Sequence, residues 1–208
     1  MKFYRNRFKP TLPYIKGKIL EIGCVGMGEN DILGGKDFLF GYLNKISSYV
    51  TGIDINKKGI KNLYIKGCDV LCRDAQEVYN LNERFDTIIS EENIEHISNL
   101  KTYLQNVKNH LKKNGTFILT TPNMASADFM LHNLIRGTPF VNHHHTHYHS
   151  VETIQYLLKT HGFRIIKVDV FTACRFFGQN IFGKLRYIFM HFPPSKLGRT
   201  IMVVCKHD

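Results

Sequence analysis

Lys18-Ile-Leu-Glu-Ile-Gly-Cys-Val-Gly-Met-Gly28 is the stretch whose reading decides the fold. An apolar run that carries an acid and empties into closely spaced glycines is a buried strand leading into a tight turn. Open α/β sheets bind nucleotide-like ligands at such a place. Gly23, Gly26 and Gly28 have no Cβ, so the backbone can take a positive φ and a ligand can lie directly against it. Taken alone, the pattern is shared with turns that bind nothing.

Outward from this turn, short runs rich in β-branched and aromatic residues recur at Lys18–Gly23, Tyr49–Ile53, Cys68–Cys72, Phe85–Ser90, Thr116–Thr121, Arg164–Phe171 and Thr200–Cys205. Between the first five lie segments with helical spacing, such as Leu39, Leu43 and Ile46, or Leu100, Tyr103, Leu104, Val107 and Leu111. The alternation predicts an α/β fold, a Rossmann-like doubly wound sheet of seven strands. It is mostly parallel with an antiparallel last strand, has helices on both faces and places ligands at the carboxyl ends of its strands. Asn114-Gly115 predicts a left-handed cap on a helix that runs to Lys113. Phe171–Leu197 contains Gly178, Gly183, Pro193 and Pro194, so residues 172–199 read as an irregular flap before the last strand. Residues 1–17 read as an N-terminal extension of a single domain spanning 1–208.

The 208 residues are 43% hydrophobic, enough for one sizeable core. A net charge of +11 favours anionic partners, yet the lysines are scattered, and Lys57, Lys58 and Lys61 read as a solvated helix face. Cys24, Cys68, Cys72, Cys174 and Cys205 are odd in number and form no paired C-x-x-C spacing, which fits reduced structural thiols. The basic start, Met1–Lys9, is followed by no apolar segment, and no apolar run reaches membrane-spanning length. The expectation is a cytoplasmic protein without stable membrane insertion.

Three acids fall at the ends of successive predicted strands: Glu21, Asp54 and Asp74. In a parallel sheet those ends line one crevice. Asp54, in Val-Thr-Gly-Ile-Asp-Ile-Asn, is placed to accept hydrogen bonds from a ribose diol, because a carboxylate offers only acceptors to two hydroxyl donors. The alternative is helix capping, for which Asn56 is equally suited. The glycine spacing is G-x-x-G-x-G, with Val25 where a dinucleotide motif has a glycine. Glu21 beside it suits a sulfonium or ammonium group better than a pyrophosphate.

Ile-Leu-Glu-Ile-Gly-Cys, Thr-Gly-Ile-Asp-Ile, Arg73-Asp-Ala-Gln, Phe85-Asp-Thr-Ile-Ile-Ser-Glu-Glu-Asn-Ile-Glu-His-Ile-Ser-Asn99 and Leu111-Lys-Lys-Asn-Gly-Thr-Phe-Ile-Leu-Thr-Thr-Pro-Asn123 stand in order along the chain. Together they resemble the motifs of class I S-adenosylmethionine-dependent methyltransferases. Glu95-His96, Thr121-Pro-Asn123 and the segment from Ser150 to Phe163 are most similar to the branch associated with glycan and other small-molecule modification. The resemblance implies S-adenosylmethionine as cofactor and S-adenosylhomocysteine as product. It implies that Glu21 and Ile55 belong to the cofactor site, that Gly23, Gly26 and Gly28 hold the methionine part, and that Asp54 binds ribose. Asp74 and Ala75 would border adenine, Ser90 and Glu91 the transferred methyl, and residues 122–150 would form an acceptor loop or lid. Val25 departs from the family pattern. A small-molecule or glycan acceptor, including a lipid-linked one, is the leading expectation. An RNA-modifying enzyme that uses the basic surface and a non-catalytic cofactor-binding module are the rivals.

Methyl transfer from a sulfonium is an in-line displacement, so positioning is the main task and a base is needed only when the acceptor is a hydroxyl. His96, after the fourth predicted strand, is the candidate base, with helix capping or burial as the alternative role. His143, His144, His145, His147 and His149 crowd one loop. If the loop is extended, His143, His145, His147 and His149 share a face. An incidental surface loop, an acceptor-site wall and a metal site all fit. No carboxylate stands beside the tract in sequence, so no metal is expected. By the resemblance, His145 and His147 sit over the acceptor pocket. Ile181, Phe182, Leu185, Ile188 and Phe189 form an apolar helix face with Lys184 and Arg186 beside it, either a sheet-covering helix or a membrane-interface anchor.

Overall fold

A computed structural model describes residues 2–4, 8–26, 38–138, 141–173 and 195–207. The strands are β1 (Lys2–Tyr4), β2 (Ile19–Ile22), β3 (Val50–Asp54), β4 (Asp69–Cys72), β5 (Phe85–Glu91), β6 (Leu111–Pro122), β7 (Phe163–Ala173) and β8 (Thr200–His207). The helices are α1 (Leu39–Ile46), α2 (Lys57–Ile65), α3 (Leu100–His110), α4 (Ala127–Arg136) and α5 (Val151–Thr160). All seven expected strands are present, with ends shifted by a few residues. β1 adds an eighth, in the expected N-terminal extension, by pairing with Phe171–Ala173 of β7. Three residues are too short to show a period of two, so sequence pattern does not reveal this strand.

The strand order is β1-β7-β8-β6-β5-β2-β3-β4. β8 runs antiparallel to β6 and β7, and every other pair is parallel, as expected. From β2 the chain steps outward to β3 and β4, then returns to β5 on the other side of β2. This reversal opens a crevice at the carboxyl ends of β2 and β5, at the topological switch point of the sheet.

Alternation along the strands divides the interior into two cores. Leu20, Ile22, Ile88, Phe117, Leu119 and Val203 pack with Tyr103, Leu104 and Val107 of α3 and Val151, Ile154 and Leu158 of α5. Ile19, Ile89, Ile118, Met202 and Val204 pack with Leu39, Phe40 and Leu43 of α1 and Ile60 and Leu63 of α2. Helices therefore cover both faces.

The helix expected to run to Lys113 ends instead at His110, because Leu111 is already extended and pairs with Phe85. Asn114 does take the left-handed conformation (φ 65). It lies within β6, where four residues, Lys112–Gly115, separate the pairs Phe85–Leu111 and Thr87–Thr116. That excess forms a bulge rather than a helix cap. Asn56, Asn99, Ser126 and Ser150 cap the starts of α2, α3, α4 and α5 through their side-chain oxygens. Gly28, Cys174 and residues 174–194, with the expected apolar helix face, lie outside the described residues. Cys24, Cys68, Cys72 and Cys205 are free thiols. Among the described residues no helix is long and apolar enough to cross a membrane.

Candidate active site

β2 delivers Glu21 to the crevice with only 4% of its surface exposed, and among the described residues its Oε2 has no hydrogen-bond partner. Burial first, then the nearby carboxylates of Glu91 and Asp54, push its pKa well above the ordinary carboxylate value. A carboxylate in this state is stabilised by any cation brought beside it. Gly23 (φ +86) and Gly26 (φ +64) turn the chain directly after the strand. A Cβ at Gly26 would meet none of the described residues within 4 Å, whereas one at Gly23 would crowd Asn93. Val25 is buried, and a Cβ on Gly59 of α2 would overlap its side chain. The departure from the glycine pattern is thus absorbed by a glycine in the next helix.

Asp54 ends β3 and ties this turn down. Its Oδ2 accepts from the Val25 N–H at 2.9 Å and its Oδ1 from the Asn56 N–H at 2.8 Å. Asn56, not Asp54, caps α2, through the Gly59 N–H at 2.9 Å. Each Asp54 oxygen keeps a further lone pair for an incoming hydroxyl. Ile55 beside it is 63% exposed. Asp74 follows β4, and its Oδ1 accepts from the Gln76 N–H at 2.8 Å, while Ala75 is buried. Ser90 and Glu91 close β5, next to Ile22 of β2 in the register, and buried Ser90 accepts from Asn93 Nδ2 at 3.3 Å. Glu21, Gly23, Gly26, Asp54, Ser90 and Glu91 therefore meet at adjacent strand ends, with Asp74 and Ala75 one strand further out.

A second cluster begins three residues beyond β5. Ile94–His96 form a 3-10 turn, and the histidine-rich loop docks on it through Glu95 O, which accepts from the Thr146 N–H at 2.8 Å and the His147 N–H at 3.2 Å. The Glu95 side chain is buried and accepts from the Thr121 hydroxyl at 3.1 Å. His96 Nδ1 faces the His144 carbonyl at 2.9 Å. A carbonyl only accepts, so Nδ1 carries a proton, and in the neutral ring the lone pair is on Nε2. The His145 ring stands edge-on to His96 with centroids 4.8 Å apart. Burial first, then His96 and His144, hold its pKa below the ordinary imidazole value. Asn142 orients it: Asn142 Oδ1 accepts from the His144 N–H, which turns Nδ2 toward His145 Nε2 at 3.0 Å. Beside these groups lies a pocket lined by Glu95, Thr121, Pro122, Met124, Phe129, His145, His147 and Tyr148.

The loop is not extended as the shared-face expectation required. His143 and His144 form an exposed turn, His145 and His147 are half-buried, and His149 is buried. The expectation of no metal rested on the lack of a carboxylate near the tract, yet Glu95 lies beside it in space. Glu95, His96 and His145 each offer one ligand atom, all within 4.8 Å of one another. One carboxylate and two imidazoles suit a divalent cation. His147 lines the pocket but stacks toward His149, with ring centroids 6.1 Å apart. Asn142 is a residue that sequence reasoning passed over, and Glu95 and Thr121 were noted only within motifs, with no role assigned in the site. The acid-histidine pair after a strand was the available signal for Glu95.

Residues 5–168 match the family described as a methyltransferase domain. Among curated proteins, the human mitochondrial ubiquinone biosynthesis O-methyltransferase is 26% identical over 172 residues, 76% of this chain and 44% of that protein. The rat protein of the same name is 30% identical over 132 residues, 59% of this chain and 35% of its own. The chain thus spans less than half the length of these relatives. Among solved structures, a SAM-dependent methyltransferase from Archaeoglobus fulgidus superposes with a TM-score of 0.68 at 20% identity, covering 96% of this chain and 91% of that one. A glycopeptide N-methyltransferase superposes with a TM-score of 0.59 at 13% identity, covering 97% and 88%. Both show the same fold.

Proposed function

Because the chain belongs to the methyltransferase-domain family, we propose that it transfers a methyl group from S-adenosylmethionine to a hydroxyl of a small-molecule acceptor. The observation that carries this reading is the Oε2 of buried Glu21, without a hydrogen-bond partner among the described residues, on the strand that leads into the Gly23–Gly26 turn and under the influence of the Glu91 and Asp54 carboxylates. The cofactor's ammonium supplies the cation that Glu21 lacks, Gly23 and Gly26, with Gly28 by sequence, lie along its methionine part, and Asp54 accepts from its ribose. Ile55, Asp74 and Ala75 border the adenine. When bound, the cofactor supplies a methyl group made electrophilic by its sulfonium.

The protein's own residues do the rest. Ser90 and Glu91 lead from the cofactor side to the turn that holds Glu95 and His96. Nε2 of His96 takes the hydroxyl proton as the acceptor oxygen attacks, and the Nδ1 bond to His144 fixes the ring for that task. Pro122, Met124, Phe129 and Tyr148 give the pocket an apolar wall suited to a ring. The relatives named as O-methyltransferases of ubiquinone biosynthesis support oxygen over nitrogen and a small ring over a glycan. The spacing of Glu95, His96 and His145 favours a second arrangement, in which a divalent cation bound there polarises the hydroxyl.

Calorimetry with S-adenosylmethionine and S-adenosylhomocysteine tests the cofactor site, with NAD as the control. The expected result is binding in the micromolar range that weakens at least roughly tenfold, about 1.4 kcal/mol, in Asp54→Ala. No binding of either ligand would overturn the reading. Labelled methyl transfer to a panel of phenols, catechols and sugars then assigns the acceptor. Loss of turnover in EDTA with recovery on adding Mg2+, Mn2+ or Zn2+ assigns the second cluster to a metal, and indifference to EDTA assigns it to proton transfer.

A further inference from the structure

Residues 73–82, which carry Asp74 and Ala75 away from β4, form no helix or strand. They are nevertheless held tightly, and from behind. Asn106, 1% exposed on α3, uses both amide hydrogens on this segment: Nδ2 donates to Ala75 O at 3.1 Å and to Glu77 O at 2.6 Å. One turn later, His110, 2% exposed, bridges the Asn106 carbonyl and the segment. Its Nδ1 donates to Asn106 O at 2.8 Å and its Nε2 accepts from the Leu81 N–H at 3.0 Å. Those partners permit only the neutral Nδ1–H tautomer and satisfy both ring nitrogens. Tyr79 stacks on the imidazole with centroids 4.8 Å apart. At the start of α3, Gln76 Oε1 accepts from the Ser98 N–H at 2.6 Å and the Asn99 N–H at 3.2 Å, while Asn99 Nδ2 donates to Gln76 O.

We infer that Asn106 and His110 are positioning residues for cofactor binding: they set the backbone at Asp74 and Ala75, and so the adenine side of the site, without touching the ligand. This rests on the placement of adenine proposed above. Three features support it beyond ordinary loop packing. One bond falls on the backbone of Ala75, assigned to adenine, and the others on Glu77 and Leu81 further along the same segment. A single helix supplies the buried polar side chains. A backbone with no ladder of its own has its geometry set by such side-chain partners, with Asp74, Gln76 and Asn99 adding to those from Asn106 and His110.

The test is calorimetry of S-adenosylmethionine, S-adenosylhomocysteine and 5′-methylthioadenosine, read beside the melting temperature. Asn106→Asp removes both donors, and His110→Phe keeps the ring against Tyr79 but removes the acceptor. Both are expected to weaken all three ligands by about tenfold, the scale of one lost hydrogen bond. His110→Gln, which can still accept from Leu81, is expected to restore binding to within about threefold. Thr11→Val, which removes a buried bond to Phe8 O remote from the crevice, lowers melting without moving affinity. Gln76→Ala is milder and reads the same segment should the buried variants fail to fold, with an expected loss of about threefold. Affinities within twofold of wild type in the folded variants, with only melting lowered, overturn the inference. Wild-type protein that binds none of the three ligands overturns the cofactor reading instead.

Discussion

Burial of the Glu21 carboxyl costs the protein stability. Its folded-state pKa is raised, so the unfolded chain releases this proton at lower pH, and the stability of the unliganded protein falls as pH rises above the unfolded value near 4.5. Glu21→Gln removes the buried charge. The expected outcome is a higher melting temperature for the unliganded protein at pH 7 together with S-adenosylmethionine binding at least roughly tenfold weaker. Melting curves and calorimetry on the same samples check both halves. That Glu21, Asp54 and Asp74 fall at or just beyond strand ends was legible in the sequence, because each apolar run marks a strand. Glu95 was not, because its carboxylate reaches the histidine loop only after 3-10 turning and docking across fifty residues of sequence. Asn142 was invisible, since its effect is to orient a neighbouring ring.

At the scale of elements, the glycine turn and α2 form one unit. Val25 fills the hollow left by Gly59, while its N–H holds Asp54. Gly59→Ala forces Val25 outward, an overpacking expected to cost about 1–3 kcal/mol. Val25→Ala in the same chain relieves the clash, so the double variant is expected to recover most of the loss, and a double-mutant cycle by urea unfolding measures the coupling. The alternation of strands and helices was legible because both faces of the sheet are covered and each strand reads as an apolar run. The end of α3 was misjudged for a physical reason: Asn114 takes the left-handed conformation in either setting, and only pairing of Leu111 with Phe85 decides between cap and bulge. The shared face of the histidine tract failed likewise, because Asn142 gathers His144 and His145 into a turn.

The whole molecule carries the acid response of that loop. His149 is buried next to Asn123 at the end of β6, and burial first, then His147, hold its pKa down at about 4. The unfolded chain takes up this proton nearer pH 6.5, so stability is fully present above that value and declines as pH falls toward 4. His149→Gln is expected to flatten the decline between those limits in denaturant titrations. The same sheet imposes an order on synthesis. β8 is the last described strand in the chain yet lies inside the sheet, between β6 and β7. A ribosome therefore releases β6 and β7 with facing edges unpaired, and neither finds its neighbour until Thr200–His207 emerges. During that interval the nascent chain displays two open edges of strand, each a template for pairing with another chain until β8 fills the gap.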